Sequence, residues 1–462
     1  MGARRIRLAL LLLLFPVLVA AAGLAGCHHT ADTPEKLTLF LTGDTRGYLE
    51  PCGCRRDQAG GLSGRATLVA AKPREHRLLF DVGNLTAGGR PYDLLKLNFL
   101  LDGMTTIGYD AINLGRTEAE LDLDSLKKVL ARPLPFVSAN IYAKREDKPV
   151  TEPYRIITHG IWKIGVTGVT YTSARSAGPG IEVKPPVEAL AGVVSQLKGH
   201  CDYLVVLAFV DQDTLHKIAD QYPEVDCILG GDVPQSSGAV QEINRAANFN
   251  VMDKGKVLGE LDLEIDPKRS SGRFKVIGAS STKVMPEKLA PDPAMVKLIA
   301  SYKQTLRDKR YELASAEDME RIPGVDSTAD EYVGSQACAR CHEREHQITV
   351  TTAHSSAFQT LVKKGSEFDP DCLHCHTVGY GLYSGFVDQQ RTPLLANVQC
   401  ESCHGRGKLH ILAMDARKTG GGNAANAVST LRAATPATCV RCHDKENSEN
   451  FRYSVFWPKI KH

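Results

Sequence analysis

The chain has 462 residues, of which 43% are hydrophobic and 24% are charged, and its formal net charge is +3. This length is typical of two or three domains, and the composition is that of a globular protein with a packed core. The net charge is too small to indicate a nucleic-acid-binding protein, and two tryptophans offer few stacking surfaces for bases.

Residues 1–26 are predicted to be a signal peptide. Three arginines precede the apolar run Leu8–Ala22, which is too short to span a bilayer comfortably. The run leads to Leu-Ala-Gly-Cys27, which resembles a bacterial lipobox and implies lipidation of Cys27; a plain secretory signal near a cysteine is the alternative. We therefore expect an exported protein with a short tether over 27–35. Its lipid anchor would hold it to a membrane facing the periplasm or the cell exterior, with the outer membrane favoured because no aspartate follows Cys27.

From residue 36 onward, apolar runs of strand length alternate with amphipathic stretches of helix length. This alternation predicts an α/β domain over 36–280, followed by a helix and a connector over 281–330. The predicted strands are Leu37–Thr42, Leu78–Val82, Ala111–Leu114, Pro135–Ala139, Ile164–Val169, Tyr203–Phe209 and Val225–Leu229, with closing antiparallel strands in Val251–Ile265 and Phe274–Val276. The predicted helices are Tyr92–Gly103, Leu123–Ala131, Pro186–Leu197, Thr214–Gln221 and Ala294–Arg310.

The loops that follow these strands resemble those of calcineurin-like metallophosphoesterases, especially the 5'-nucleotidase branch that also includes thiosulfohydrolases of sulfur oxidation. The resemblance rests on the order of Thr-Gly-Asp44-Thr-Arg46, Asp-Val-Gly-Asn84, Asn-Leu-Gly-Arg116 and Ile-Leu-Gly-Gly-Asp232 along the chain. It implies a β-sandwich flanked by helices. In active members, two divalent metal ions activate a water molecule for hydrolysis.

Carried over by position, this resemblance implies that most metal ligands are lost. Asp44 keeps the first ligand, but Arg46 stands where a histidine belongs and Asn84 replaces the bridging aspartate. Arg116 replaces the ligand asparagine of Gly-Asn-His-Glu, and arginine offers no lone pair to a metal. We expect no two-metal hydrolysis. Asp44, Asn84 and Asp232 are candidate ligands for a single residual cation.

Cys52 and Cys54 form a C-x-C pair just after the first of these loops. In an exported protein such a pair can close a strained disulfide, and strained disulfides are easily reduced. Cys52, Cys54, Arg46 and Arg116 are therefore the candidate catalytic residues of a redox site. A structural staple and a transient contact during heme delivery are the alternatives.

Cys201 and Cys227 precede or begin two neighbouring predicted parallel strands. With Asp202-Tyr203 aligned on Asp226-Cys227, the two thiols would come within the reach of a disulfide. The sequence favours a structural disulfide here over free thiols.

Eight further cysteines all lie after residue 330, in four C-x-x-C-H motifs. Two thiols at this spacing can add to the two vinyl groups of one porphyrin, and the adjoining histidine can bind the iron. Paired C-x-x-C motifs also build zinc sites, but zinc does not require a histidine after every second cysteine. We therefore predict four covalently attached c-type hemes over 331–462, and we assign no non-heme metal beyond the candidate cation site described above. The attachment cysteines are Cys338, Cys341, Cys372, Cys375, Cys400, Cys403, Cys439 and Cys442, and the proximal iron ligands are His342, His376, His404 and His443.

A second axial ligand for each iron is predicted to be histidine. The region contains several further histidines and a single methionine, and bis-histidine ligation implies low reduction potentials. The candidates are His354 and His410, then His346 and His462, with His374 ranked lower because it lies inside an attachment motif.

This region resembles the tetraheme cytochromes of the hydroxylamine-oxidation pathway. The matching segments are Tyr332-Val-Gly-Ser335, Cys372-Leu-His-Cys-His-Thr-Val-Gly-Tyr380 and Val398-Gln-Cys-Glu-Ser-Cys-His-Gly405. The resemblance implies a mostly helical, multiheme cytochrome c domain with little regular secondary structure.

Three functions remain open at this point. One is an anchored electron-transfer protein whose phosphoesterase-like domain serves as a docking or scaffolding element for redox partner proteins. Another is an oxidoreductase that uses the Cys52 and Cys54 pocket on a small oxyanion, a sulfur compound or a partner disulfide, with the hemes as relay. An active 5'-nucleotidase-like hydrolase is the third and least favoured interpretation.

Overall fold

Two six-stranded sheets form the centre of the N-terminal part in the computed structural model. The structure describes residues 35–51, 58–173, 175–233, 235–268, 272–313, 330–420, 431–444, 447–448 and 450–462. Its strands are β1 (Glu35–Thr42), β2 (Arg77–Asp81), β3 (Ala111–Asn113), β4 (Phe136–Val137), β5 (Ile141–Ala143), β6 (Lys148–Pro149), β7 (Tyr154–His159), β8 (Trp162–Thr170), β9 (Ile181–Val183), β10 (Tyr203–Phe209), β11 (Cys227–Gly231), β12 (Gln241–Ile243), β13 (Ala246–Asn250), β14 (Val257–Ile265) and β15 (Phe274–Lys283).

The first sheet has the order β15-β14-β1-β2-β3-β4 and the second has the order β12-β13-β11-β10-β8-β7. β1 to β4 are parallel, as are β8, β10, β11 and β13, whereas β14, β15, β7 and β12 pair antiparallel at the sides. A small third sheet has the order β6-β5-β9.

Alternating side chains on the central strands build three apolar layers. On β1, Leu39 and Leu41 face the core between the two sheets, whereas Phe40 faces the helices on the outside. On β10, Val205 faces the inner core and Leu204 the outer helices of the second sheet. Because successive side chains of a strand point to opposite faces, both sheets are buried on both sides. The predicted helix-flanked sandwich is confirmed.

Helices cover the outer faces of both sheets. They are α1 (Leu62–Ala70), α2 (Pro91–Ile107), α3 (Arg116–Ala119), α4 (Leu123–Leu130), α5 (Pro186–Leu197), α6 (Gln212–Gln221) and α7 (Pro293–Leu313). Met295, Tyr302 and Leu306 of α7 belong to the same apolar cluster as α1 and α2. The helix expected in the connector is thus packed onto the N-terminal core.

The prediction of a Cys201–Cys227 disulfide is wrong. Both thiols are free, and the strand register pairs Cys227 with Val205, two residues further along β10 than the predicted alignment. The cysteines also lie on opposite faces of the sheet: Cys227 is in the core between the sheets, whereas the Cys201 thiol lies 3.5 Å from the carbonyl oxygen of Leu197 at the end of α5. Burial raises the pKa of Cys227 to about 12, so it remains a thiol.

The C-terminal part consists of short helices around a small apolar cluster. The helices are α8 (Ser335–Ala339), α9 (Glu343–Val350), α10 (Ala357–Lys364), α11 (Pro370–His376), α12 (Cys400–His404), α13 (Lys408–Lys418), α14 (Pro436–Val440) and α15 (Tyr453–Phe456). The buried members of the cluster are Phe358, Leu361, Leu373, Val378, Phe386, Leu395 and Ala396. Within the described residues, no helix combines the length and the apolar character needed to cross a bilayer.

Candidate functional sites

Each C-x-x-C-H motif lies in or directly beside a helical turn. α11 and α12 contain their motifs, and α8 and α14 end within theirs. Helical hydrogen bonds from His342 N to Cys338 O and from His443 N to Cys439 O, both 2.9 Å, continue the turn to the histidine. Since residues three apart on a helix share a face, both thiols of a motif are presented to the same side. This geometry suits the attachment of one porphyrin through two thioether bonds.

Three of the four proximal histidines lie opposite a candidate distal histidine. The ring centres are 6.3 Å apart for His342 and His410, 5.9 Å for His443 and His354, and 5.8 Å for His404 and His462. A metal ion between two imidazoles lies about 2 Å from each nitrogen, which places the ring centres roughly 6 Å apart. The three gaps therefore fit one iron each, with axial ligands from segments far apart in the chain.

Hydrogen bonds orient the rings of three proximal histidines, His376, His404 and His443. Nδ1 of His376 lies 2.7 Å from the carbonyl oxygen of Ala357, and Nδ1 of His404 lies 2.9 Å from that of Arg432. A carbonyl only accepts, so Nδ1 carries the proton and Nε2 keeps the lone pair that an iron needs. In the His443–His354 pair, burial lowers the pKa of both imidazoles, and a neutral ring is the form that binds a metal.

The other two candidate distal histidines have different surroundings. His346 is 9% exposed, and its Nε2 atom has no hydrogen-bond partner among the described residues. It lies one turn after His342, on α9. His374 is exposed on α11, between the two attachment cysteines of the second motif. Neither belongs to one of the three facing pairs.

Contacts between cysteines give the spatial order of the four attachment sites. The thiols of Cys338 and Cys400 lie close to each other, as do those of Cys375 and Cys442. Cys403 also lies close to Cys439. The first site is thus beside the third, the third beside the fourth, and the fourth beside the second. Along the chain of contacts the order is first, third, fourth, second.

Glu401, inside the third motif, is a structural residue that the sequence analysis did not single out. It is 3% exposed, and its carboxylate accepts hydrogen bonds from the backbone N–H groups of Val333, Gly334 and Gly407 at 2.8–3.1 Å. Burial raises its pKa, and these three donors oppose the rise. The carboxylate therefore joins the start of the domain to the third attachment site. Its only signal in the sequence is a charged residue between two attachment cysteines.

In the N-terminal domain, guanidinium groups occupy the place of the predicted cation site. The Oδ1 atom of Asp44 accepts hydrogen bonds from Arg46 Nε at 2.7 Å and from Asn84 Nδ2 at 2.6 Å. Arg116 forms an ion pair with Asp232. Burial opposes the charge of Arg46, but the bond to Asp44 and its charge raise the Arg46 pKa above the ordinary value. Each candidate carboxylate ligand is thus neutralised by an arginine.

The backbone holds these residues in an uncommon conformation. Asp44, Arg46, Asn84 and Asp232 have φ angles of 51°, 47°, 66° and 59°. Left-handed φ is tolerated by aspartate and asparagine but is costly for arginine, and such residues cluster at functional sites. The site loops therefore keep a strained geometry although their side chains have changed. Among the described residues, no three histidine, cysteine, aspartate or glutamate side chains converge to hold a metal ion.

A buried carboxylate fixes two of these loops to each other. Glu118 is fully buried at the end of the Gly115-Arg116-Thr117-Glu118 segment. Burial raises its pKa, and backbone N–H donors oppose the rise. The donors to its carboxylate are the backbone N–H groups of Asn84, Leu85, Thr86 and Gly115 at 2.8–3.0 Å and the Thr117 hydroxyl at 3.0 Å. Glu118, which corresponds to the glutamate of Gly-Asn-His-Glu, therefore holds two loops together by accepting hydrogen bonds from their backbones.

Three predicted features lie outside the described residues. They are the signal peptide, the lipidated Cys27 and the Cys52–Cys54 pair. The lipid anchor and the redox pair therefore remain predictions.

Comparisons with known proteins match the two parts separately. Residues 337–405 match the family of cytochrome c554 and c-prime. A cytochrome c-554 of Nitrosomonas europaea is 33% identical over 92 residues, which are 17% of this chain and 39% of the relative. A 5'-nucleotidase of Vibrio cholerae is 33% identical over 209 residues, 40% of this chain and 37% of the relative.

A comparison with solved structures shows that the N-terminal part also shares its fold with a known protein. The 5'-nucleotidase precursor from Thermus thermophilus is 21% identical, with a TM-score of 0.52 over 71% of this chain and 68% of that chain. The chain spans less than two fifths of the length of the two curated relatives above. The N-terminal part therefore has the fold of 5'-nucleotidases, and the C-terminal part contains a segment that matches the cytochrome c554 family.

Proposed function

We propose that this protein is an exported electron-transfer protein with four c-type hemes, anchored to a membrane by lipid on Cys27. The observation that carries the proposal is the set of three facing histidine pairs, His342–His410, His443–His354 and His404–His462, each spaced for one iron. Bound heme would supply one-electron redox chemistry. The chain supplies the cysteines that attach it and the imidazoles that orient and tune it.

The N-terminal domain is proposed to act without hydrolysis, as a docking or scaffolding element for redox partner proteins. Arg46 on Asp44 and Arg116 on Asp232 support this, because a divalent cation would have to displace a guanidinium from each carboxylate. The cost of separating such part-buried ion pairs opposes cation binding.

The test uses the purified full-length protein. A hemochrome assay should give four hemes per chain, the redox spectra should be those of low-spin c-type heme, and a phosphoester should not be hydrolysed with added Mn²⁺. Fewer than four hemes would contradict the heme assignment, whereas metal-dependent hydrolysis would contradict the role of the N-terminal domain. Membrane association that persists after Cys27→Ser would contradict the lipid anchor.

A further inference from the structure

The second heme-attachment helix begins in contact with the N-terminal domain. Tyr92 and Lys96 lie one turn apart on α2 and are 4% and 6% exposed. The Tyr92 hydroxyl donates to Asp369 Oδ1 and Lys96 Nζ donates to Asp371 Oδ2, both at 2.6 Å. Asp369 is the N-cap of α11, which contains Cys372, Cys375 and His376. Two hydrogen bonds thus tie the start of this helix to α2.

Lys96 also contacts the loop Arg46–Tyr48, which carries one of the arginines of the former metal site and is called the pocket loop below. Its ammonium lies 5.0 Å from the ring centre of Tyr48 and 5.1 Å from that of Tyr92. Gly47 has a φ of +71°, and a Cβ atom placed there would lie 3.2 Å from Lys96 Cβ. Gly47 and Tyr48 directly follow Arg46. One buried lysine therefore joins the pocket loop to the second attachment helix.

The charges at this contact are positioned to act on a heme. Asp371 is adjacent to Cys372 in the chain, so its carboxylate lies within about one Debye length of a porphyrin attached there. Burial disfavours the Lys96 charge, but Asp371 and Asp369 raise the pKa of Lys96. A positive charge near a heme favours the added electron, and a negative charge disfavours it. The second site is also at one end of the cysteine contact order, next to the N-terminal domain.

We propose that Lys96 is a positioning residue that sets the reduction potential of the second heme. This inference rests on the proposed function, since it requires a heme at Cys372 and Cys375. It gives the N-terminal domain an electrostatic role at one heme, beyond scaffolding.

The test is a potentiometric titration of the full-length holoprotein. Lys96→Met should lower the potential of one of the four hemes, changing its electron-exchange equilibrium with a mediator about tenfold, or about 59 mV for one electron. Asp371→Asn should shift the same heme in the opposite direction. In the double variant Lys96→Met, Asp371→Asn, the potential of this heme should be close to that of the unmodified protein. Lys96→Arg keeps the positive charge and should leave the potential close to that of the unmodified protein as well. Arg307→Met, which removes a more exposed cation at the same domain contact (Arg307–Glu367, 3.3 Å), is the control and should change the equilibrium less than threefold.

Cys372→Ser identifies the heme, because a single thioether leaves one vinyl group and shifts that heme's absorption. A purely structural contact would be weakened by Lys96→Met and by Asp371→Asn alike, so shifts of equal sign would overturn the proposal. Shifts below twofold in both variants, or a shift on a heme other than the one marked, would also overturn it. If Lys96→Met does not fold, the test rests on Asp371→Asn, which should raise the potential, and on Lys96→Arg, which should leave it unchanged. A failure of the proposed function is distinguishable, because it would appear as missing hemes in the unmodified protein.

Discussion

Changing Asp81 to asparagine should remove a large part of the pH dependence of the N-terminal domain's stability. Asp81 is fully buried at the end of β2. Its carboxylate accepts hydrogen bonds from the Thr42 hydroxyl at 2.6 Å and from Gly83 N at 2.8 Å. Burial raises its pKa from 3.8 to about 6, although these bonds and the charge of the buried Arg65 oppose the rise.

The magnitude follows from the difference between the folded and unfolded pKa. Because the folded pKa is raised, the folded state holds the Asp81 proton more tightly than the unfolded state does. Below about pH 4 the group is protonated in both states and costs nothing. Between about pH 4 and about 6 the unfolded state releases the proton while the fold still holds it, so the free energy of unfolding falls by about 1.4 kcal/mol per pH unit, and above about 6 the loss stays at about 3 kcal/mol. The variant has no such loss.

The assay is urea unfolding of the full-length protein at about pH 4 and about pH 7, followed by emission of Trp162. This residue is 5% exposed in the N-terminal domain, and its ring packs edge-on against Phe274. The free-energy difference between Asp81→Asn and the unmodified protein should change by about 3 kcal/mol between the two pH values. The attraction between Asp81 and Arg65 is already contained in the folded pKa of about 6, so it adds no separate pH dependence. A change below about 1 kcal/mol would refute the raised pKa.

Three further predictions concern the two sites. Glu118→Ala should lower the free energy of unfolding by about 3 kcal/mol or more, because four buried N–H groups lose their acceptor. The measurement is urea unfolding, with Glu120→Ala, a change of an exposed glutamate, as the control. Equal effects of the two changes would contradict the reasoning. The triple change Arg46→His, Asn84→Asp and Arg116→Asn should strengthen Mn²⁺ binding at least about tenfold in calorimetry, because it removes two guanidinium groups and adds two ligand types; unchanged affinity would show that the arginines do not block the site. His410→Ala should convert one heme from low to high spin in absorption and magnetic resonance spectra, since its ring faces His342 at 6.3 Å. His374→Ala is the control and should leave the spectra unchanged. An identical response of the two variants would contradict the assignment of His342 and His410 to one iron.

Much of the N-terminal fold could be predicted because its signals are local. The runs Tyr203–Phe209 and Pro186–Leu197 coincide with β10 and α5, since each combines an apolar pattern with clear ends. The missed elements have weaker patterns. The helix α1 contains a buried arginine and a glycine, and β7 has no fully buried side chain, so both lack a clear apolar pattern that sequence alone can recognise.

The wrong prediction of a Cys201–Cys227 disulfide shows why a contact between distant residues is hard to predict from sequence. Both strands were predicted, but a two-residue difference in register and the choice of sheet face decide whether the thiols meet. Register depends on the packing of the whole sheet, and a small slip moves a side chain to another neighbour or the other face.

The four C-x-x-C-H motifs could be recognised from the sequence alone, because two thiols and an imidazole within five residues are brought together by one helical turn. The sequence also indicated that Arg46, Asn84 and Arg116 replace metal ligands. The three-dimensional structure was needed to show that His410, His354 and His462 face three proximal histidines. It also showed that Arg46 and Arg116 neutralise Asp44 and Asp232, and that Lys96 connects the loop Arg46–Tyr48 to the second attachment helix. All of these partners except Asp44 and Arg46 are dozens to hundreds of residues apart, and whether they meet depends on how helices and strands pack, which no local pattern records.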